Sequence, residues 1–236
     1  MLSDKALQES PEQRLVEIAA TRSRDDVVVV HEVYASVQGE STHAGRPCVF
    51  VRTTGCHLRC TYCDTEHAFH EGSARSIPSI VAEVAGFGVP LVELTGGEPL
   101  LQKGARSLVT ALIDAHYEVL IETSGAVSVD GVDRRAKLIV DVKTPGSGES
   151  DKNIWKNLAL LTPGHDEVKF VIVNDADYAW TQEILPRIPA GVTVLLSPSF
   201  PSMAPDKLAE AILRDRLPVR FQVQLHKILW GEKRGT

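Results

Sequence analysis

The sequence predicts an α/β fold: an incomplete (partial) TIM-type βα barrel of about six βα units behind an N-terminal extension. Three observations lead there. Short, continuous β-branched runs alternate with amphipathic segments, the mark of parallel strands covered by helices on their faces. Right-handed crossovers wind such units into a barrel or an open wound sheet. The chain has 236 residues, whereas a closed eight-unit barrel takes about 250, so the barrel is expected to stay open.

The elements follow in order. Ser3 to Arg24 is polar and charged, with Leu7, Leu15, Val16 and Ile18 interspersed, and reads as an amphipathic helix or a loosely held extension. Residues 1–26 form that extension, and 27–236 a single domain. Val27–Val30 opens the first strand and Val49–Arg52 is the next. Ile77–Ala85 has helical spacing, Leu91–Leu94 is a short strand, and Ala105–His116 a helix. Glu118–Ile121 and Leu138–Asp141 read as strands, Lys152–Leu161 as a helix, Val168–Val173 as a strand and Ala176–Arg187 as a helix. Val192–Leu196, the helix Asp206–Arg214 and a last strand Arg220–Leu225 complete the pattern.

Parallel-strand enzymes place their chemistry at the carboxyl ends of the strands. Each exit here carries a polar or glycine-rich cluster. They are Thr53-Thr54-Gly55, Thr95-Gly96-Gly97-Glu98-Pro99, Glu122-Thr123-Ser124-Gly125, Asp141-Val142-Lys143-Thr144-Pro145, Ser197-Pro198-Ser199-Phe200 and Gln224-Leu225-His226-Lys227. The fold would gather all of them around one mouth.

The bulk properties exclude several classes. A formal charge of −6 argues against direct nucleic-acid binding. No apolar run approaches the roughly 20 residues that span a membrane, and residues 1–26 lack the apolar core of a secretory signal. Of four cysteines, three crowd into one loop, which suits a reducing cytoplasmic compartment rather than a disulfide scaffold. The fourth, Cys48, lies in the apolar run Pro47–Val51 and reads as a small buried hydrophobe.

That loop carries the chemistry. Cys56, Cys60 and Cys63 form Cys-x3-Cys-x2-Cys. Structural zinc takes four protein ligands, and most iron–sulfur clusters take four cysteines. A [4Fe–4S] cluster on three thiolates leaves one iron open to a non-protein ligand. Zinc remains the alternative, with His57, Cys48 or His67 as a fourth ligand. After the strand at Leu91–Leu94 comes Gly96-Gly97-Glu98-Pro99. Two glycines allow close backbone approach, Glu98 is an acceptor for an amine or hydroxyl, and Pro99 suits a following helix start.

The cysteine loop, with Tyr62 before its third cysteine, together with Gly96-Gly97-Glu98-Pro99, resembles the radical S-adenosylmethionine superfamily. A closer likeness covers most of the chain. Val37-Gln38-Gly39-Glu40-Ser41, Ala44-Gly45-Arg46-Pro47, Phe50-Val51-Arg52, Cys56 to Thr65, Leu94 to Pro99, Glu122 to Gly125 and Gln224 to Lys227 resemble the 7-carboxy-7-deazaguanine synthase family.

The resemblance implies a lyase of queuosine and deazapurine biosynthesis. It would turn 6-carboxy-5,6,7,8-tetrahydropterin into 7-carboxy-7-deazaguanine and ammonia by radical ring contraction. It implies a [4Fe–4S] cluster, S-adenosylmethionine, Mg2+, a homodimer and an electron donor such as flavodoxin or ferredoxin. Carried over by position, Cys56, Cys60 and Cys63 would hold the cluster and Thr65 magnesium. Tyr62, Cys63, Asp64, Gly96, Gly97, Glu98, Ser124, the segment Asp141, Val142 and Lys143, and the turn Ser197, Pro198, Ser199 and Phe200 would hold S-adenosylmethionine. Val37, Gln38, Gly39, Glu40, Arg52, Thr95 and His226 would meet the pterin, Arg52 through its carboxylate. No side chain is singled out as a catalytic acid or base. Many members carry Ser-Pro-Lys where this chain has Asp141-Val142-Lys143, and some end in a proline-terminated tail where this chain ends Trp230 to Thr236.

Two other functions fit parts of the pattern: a glycyl-radical-enzyme activating protein, which shares the cysteine spacing, and a non-catalytic zinc-binding module. Several residues carry plain readings. His67 and His70 read as ordinary surface histidines, His116 as solvated or satisfied within the core, Lys103 and Lys137 as solvated, and Trp155 and Trp180 as packing.

Overall fold

The β-branched run at residues 27–30 begins the longest strand, β1 (Val27–Val37). In this computed structural model, Thr21, residues 23–231, Lys233 and Gly235 are described. The expected extension at 1–26 therefore lies mostly outside the described residues. β1 pairs antiparallel with β2 (Pro47–Thr53) on one side and β3 (Ser73–Ser76) on the other. From β2 onward the sheet is parallel, through β4 (Leu91–Gly96), β5 (Glu118–Thr123), β6 (Lys137–Asp141), β7 (Glu167–Ile172), β8 (Thr193–Pro198) and β9 (Arg220–Phe221). Among the described residues the spatial order is β3-β1-β2-β4-β5-β6-β7-β8-β9. β3 and β9 are edges that do not pair, so the barrel is open, as the chain length implied.

Four helices fill crossovers. α1 (Ile77–Gly86) is started by Ser76, whose hydroxyl accepts from the Ser79 amide, with Pro78 in its first turn. α2 (Lys103–Asp114) joins β4 to β5 and α3 (Asp175–Ile184) joins β7 to β8. Asn174 caps α3 by accepting from the Asp177 amide at 3.0 Å. α4 (Pro205–Asp215) joins β8 to β9, and a short helix, α5 (Leu225–Trp230), follows β9.

The two faces of the sheet differ. Outside, Ile80 and Val84 of α1 and Leu108 and Leu112 of α2 join Val49, Val51, Val92 and Leu94 in the main core. Each such side chain contributes about 1.5–3 kcal/mol on burial. Inside, Cys48, Phe50, Leu91, Leu120 and Ile139 form a small apolar plug near the amino ends of the strands. Cys48 is fully buried there, as its apolar run implied. Beyond the plug the inward positions turn polar, and that change of character sets where the site lies.

Two elements differ from expectation. Lys152–Leu161 forms 3-10 turns at Ser150–Lys152 and Trp155–Leu160, not an α-helix. Asn157 explains it: its amide donates to the carbonyls of Gly125 and Val127, and its oxygen accepts from the Val129 amide. Those bonds tie the segment to the β5 exit and outcompete a regular ladder. The last strand stops at Phe221, and Leu225 starts a helix instead. Trp155 and Trp180 do pack together, ring centroids 6.2 Å apart. Lys137 is not solvated: it reaches the buried Glu167 carboxylate at 3.1 Å.

Candidate active site

The cysteine loop leaves β2 through Thr54 and Gly55 and is docked from below by the glycine motif after β4. The Glu98 amide donates to the Gly55 carbonyl at 2.8 Å, and the Gly97 amide to the Thr53 carbonyl at 3.2 Å. This approach requires both glycines. A Cβ on Gly97 would sit 2.3 Å from the Gly55 oxygen, and one on Gly96, at φ +135°, would sit 2.4 Å from the Thr53 backbone. On the far side, Thr61 donates through its amide to the Ser147 carbonyl at 3.0 Å and through its hydroxyl to that of Gly146 at 2.8 Å.

Cys56, Cys60 and Cys63 are unpaired and half-buried. Burial raises the Cys56 thiol and pushes the Cys60 thiol up to about 11. The Leu58 amide lies 3.4 Å from Cys56 Sγ, placed to donate to a thiolate. Burial keeps Cys56 and Cys60 protonated until a cation binds, so loading the loop with a metal or cluster must displace those protons. Three sulfur donors and no fourth cysteine nearby, Cys48 being in the apolar plug, fit a cluster with one open iron.

Other buried polar atoms face this region unpaired. Tyr62 Oη, Asp141 Oδ1 and Ser199 Oγ have no hydrogen-bond partner, which fits a polar cofactor. Lys143 brings two predicted segments together. Its ammonium pairs with Asp141 at 2.8 Å and lies 5.7 Å from the Tyr62 ring centroid. Burial lowers Lys143, but Asp141 and Tyr62 outweigh it and hold the ammonium well above its ordinary value. Val142 is buried in the main core, and its amide donates to the Lys169 carbonyl at 2.9 Å, so neither its side chain nor its N–H is open to a ligand. Pro198 ends β8, and Phe200 projects outward with 67% of its surface exposed.

Of the expected substrate residues, Gly39, Glu40, Thr95 and His226 converge from distant parts of the chain, whereas Val37 lies at the amino end of β2. The Leu225 amide donates to the Gly39 carbonyl at 3.0 Å, and a Cβ on Gly39 would lie 2.8 Å from His226 Nδ1. Lys227 pairs with Asp64 at 3.1 Å, so α5 bridges the 38–40 turn and the cysteine loop. Burial lowers His226, which favours its neutral form. Arg52 donates to Glu32 at 2.8 Å and to the Tyr34 hydroxyl at 2.8 Å. Thr95 reaches Glu122 at 3.4 Å. Val37 ends β1 opposite Pro47, and Thr65 Oγ1 lies 3.8 Å from Cys63 Sγ.

Residues that sequence reasoning passed over complete the interior. Lys169 of β7 pairs with Glu40 at 2.6 Å and with Glu122. Gln222 accepts from the Ser41 amide at 2.8 Å and donates to Ser197 Oγ at 2.8 Å. Gln38 donates to Glu93, which is almost fully buried. The signal for Glu93 and Lys169 was present: each is a charge with apolar neighbours on both sides in a strand, a costly placement that demands partners. For Lys169, burial is outweighed by Glu122 and Glu40, and the ammonium is held well above its ordinary value. For Glu122, burial is outweighed by Lys169, and the carboxyl lies below its ordinary value.

Glu93 goes the other way. Burial, and then the Glu122 carboxylate, raise it well above the ordinary 4.5. A carboxyl raised in the folded state contributes stability below its unfolded value and loses it as pH rises toward the folded value. Glu93→Gln keeps the acceptor for Gln38 and cannot ionise. Relative to the parent chain it will gain about 1.4 kcal/mol per pH unit above the ordinary glutamate range. Urea midpoints across mildly acidic to neutral pH check this, and a difference independent of pH would show that Glu93 ionises normally.

Known proteins resemble this chain in sequence and in fold. Residues 50–145 match the model described as Radical SAM superfamily. A 7-carboxy-7-deazaguanine synthase of Chlorobaculum tepidum is 46% identical over 212 residues, 88% of this chain and 96% of that protein. One from Koribacter versatilis is 43% identical over 85% of this chain and 96% of that protein. A crystal structure of QueE from Escherichia coli superposes with TM-score 0.72 at 21% identity, covering 89% of this chain and 99% of that one, and shares the fold. A three-thiol loop docked on a Gly-Gly-Glu turn at the mouth of an open parallel barrel, in a sequence this close to those relatives, means that the chain belongs to the 7-carboxy-7-deazaguanine synthase family of radical S-adenosylmethionine enzymes.

Proposed function

We propose that this chain is a carbon–nitrogen lyase that converts 6-carboxy-5,6,7,8-tetrahydropterin into 7-carboxy-7-deazaguanine and ammonia, in queuosine and deazapurine biosynthesis. The observation that carries this reading is the cysteine loop, whose three half-buried thiols are locked by backbone bonds onto the glycine motif, in a chain 46% identical to a relative bearing that name.

The protein's part is placement and exclusion of water. Cys56, Cys60 and Cys63 hold a [4Fe–4S] cluster. Gly96, Gly97, Ser124, Lys143 and the 197–200 turn hold S-adenosylmethionine. When bound, the two together supply the one-electron chemistry that abstracts a substrate hydrogen. Glu40 and Glu122 present carboxylate oxygens to the N–H edge of a pterin, a pairing planar donors favour. Lys169 pairs with both and holds the Glu122 carboxyl below its ordinary value. Arg52 is the cation for the substrate carboxylate, held in position by Glu32 and Tyr34 until substrate arrives. Thr65 offers its hydroxyl to magnesium, a hard cation that takes oxygen ligands and keeps waters. No described helix is long and apolar enough to cross a membrane. The enzyme works in the cytoplasm, where a reducing milieu keeps the three loop thiols from forming disulfides. It works as a homodimer and takes electrons from flavodoxin or ferredoxin.

Anaerobic incubation of the reconstituted protein with S-adenosylmethionine, reductant and the carboxytetrahydropterin tests the reading. 7-Carboxy-7-deazaguanine and ammonia at a catalytic rate is the expected result. Deoxyadenosine without the deazaguanine keeps the superfamily chemistry and rejects the substrate.

A further inference from the structure

We propose that His31, Glu32 and His67 form a binding site for a borderline divalent transition metal, zinc in particular, distinct from the cysteine loop and from the oxygen site expected for magnesium. The proposal does not depend on the reaction assigned above. One ligand atom from each residue lies within 4.8 Å of the other two, and all three residues are partly buried.

The backbone is built for this convergence. Consecutive strand residues normally point to opposite faces. The register of β1 on β2 shifts between Val30 and Glu32, leaving His31 as the irregular residue. A bulge of this kind re-aims a side chain, and it lets His31 and Glu32 approach the same third residue. That residue comes from a 3-10 turn, Glu66–Phe69, just after the cysteine loop. The His31 and His67 rings lie 5.0 Å apart, and His67 Nε2 is 4.0 Å from Glu32 Oε1. His67, expected to be an ordinary surface histidine, has only 12% of its side chain exposed.

Outer partners orient two of the ligands. His31 Nδ1 lies 3.2 Å from the Glu71 carbonyl. Donating there, the ring keeps Nε2 unprotonated, the form that binds a metal. Arg52 Nε donates to Glu32 Oε1 at 2.8 Å and fixes the plane of the carboxylate. A carboxylate has about four acceptor positions, so this bond leaves room for a cation. Hydrogen bonds of this kind to a backbone carbonyl and to a ligating carboxylate are usual around bound metals.

The donor set chooses the ion. Two imidazoles suit zinc and its first-row neighbours, whereas magnesium and calcium take all-oxygen sets. Three protein ligands leave a fourth position for water, as in zinc sites that are not purely structural. Zinc bonds of about 2.0–2.2 Å require the three side chains to draw inward from their present spacing of up to 4.8 Å.

The test uses the holoprotein, its cysteines occupied by the reconstituted cluster. It is equilibrated anaerobically with zinc chloride, desalted, and assayed for zinc and iron. About one zinc per chain is expected, with iron unchanged. His31→Ala and His67→Ala will each weaken zinc binding by more than the ~10–100-fold that loss of an outer partner costs, with iron content and far-ultraviolet circular dichroism as in the parent. His70→Ala, an exposed neighbour, will keep the zinc. Should His31→Ala disturb β1, His67→Ala decides alone, since its residue sits on a turn outside the sheet. Zinc that washes out of the parent, that both histidine variants retain, or that enters only as iron leaves would each overturn the proposal.

Discussion

Cys56→Ala, purified anaerobically after iron and sulfide reconstitution, will be folded, colourless and inactive. Two thiols cannot hold a cubane that already lacks one protein ligand, so iron content and turnover both fall to background. The fold survives because other atoms pin the loop. The Gly55 amide donates to the Ala68 carbonyl at 2.8 Å, the Glu98 amide to Gly55, and Thr61 to Ser147. None of these bonds uses a cysteine sulfur. Cys48→Ala is the matched comparison. That thiol is fully buried in the apolar plug, so its loss costs about 1 kcal/mol of stability and leaves iron and activity intact. Absorbance, iron analysis and circular dichroism on the two variants separate a cluster ligand from a core residue. Iron retained in Cys56→Ala would reject the ligand assignment.

The sequence was most legible where one segment carries its own signal. The run at Val27–Val30, the helical spacing from Ile77, and the strand-then-glycine pattern at Leu91–Gly97 are local, and each fell where expected. The cysteine loop and the Gly-Gly-Glu turn are equally local, and they located the mouth of the barrel. What stayed hidden depends on partners far away along the chain. Lys169 looks like a stray charge until the sheet brings Glu40 and Glu122 to it. Asn157 gives no hint that it will tie three backbone groups of the β5 exit and suppress a helix. His67 looked superficial because a count of neighbours along the chain cannot see β1 fold over it. Lys137 was misjudged for the same reason, its carboxylate partner lying on β7.

Glu98 carries a scaffold role beside the acceptor role expected of it. As a sequence it offered an acceptor for an amine; in the fold it is fully buried and accepts from its own scaffold. The Leu100 amide donates to Oε1 at 2.9 Å, the Ser124 amide to Oε2 at 2.7 Å, and the hydroxyls of Thr123 and Ser124 add 2.9 Å and 2.5 Å bonds. The carboxylate therefore ties the β4 exit to the β5 exit and holds Gly97 against the cysteine loop. Glu98→Ala orphans two buried backbone amides, each costing about 1–3 kcal/mol, so a loss of roughly 3–5 kcal/mol is expected once the lost charge-assisted bonds are included. At about 2–4 °C per kcal/mol for a chain of this size, the melting temperature falls by ~10 °C or more, and the cluster binds poorly because its platform has moved. Glu98→Gln keeps one oxygen for one amide while the hydroxyls reorient, so it should lose about half as much. Thermal melts of the apo chains measure this without any cofactor present. If Glu98→Ala melts like the parent yet turns over no substrate, the carboxylate acts on a ligand directly and the scaffold role is wrong.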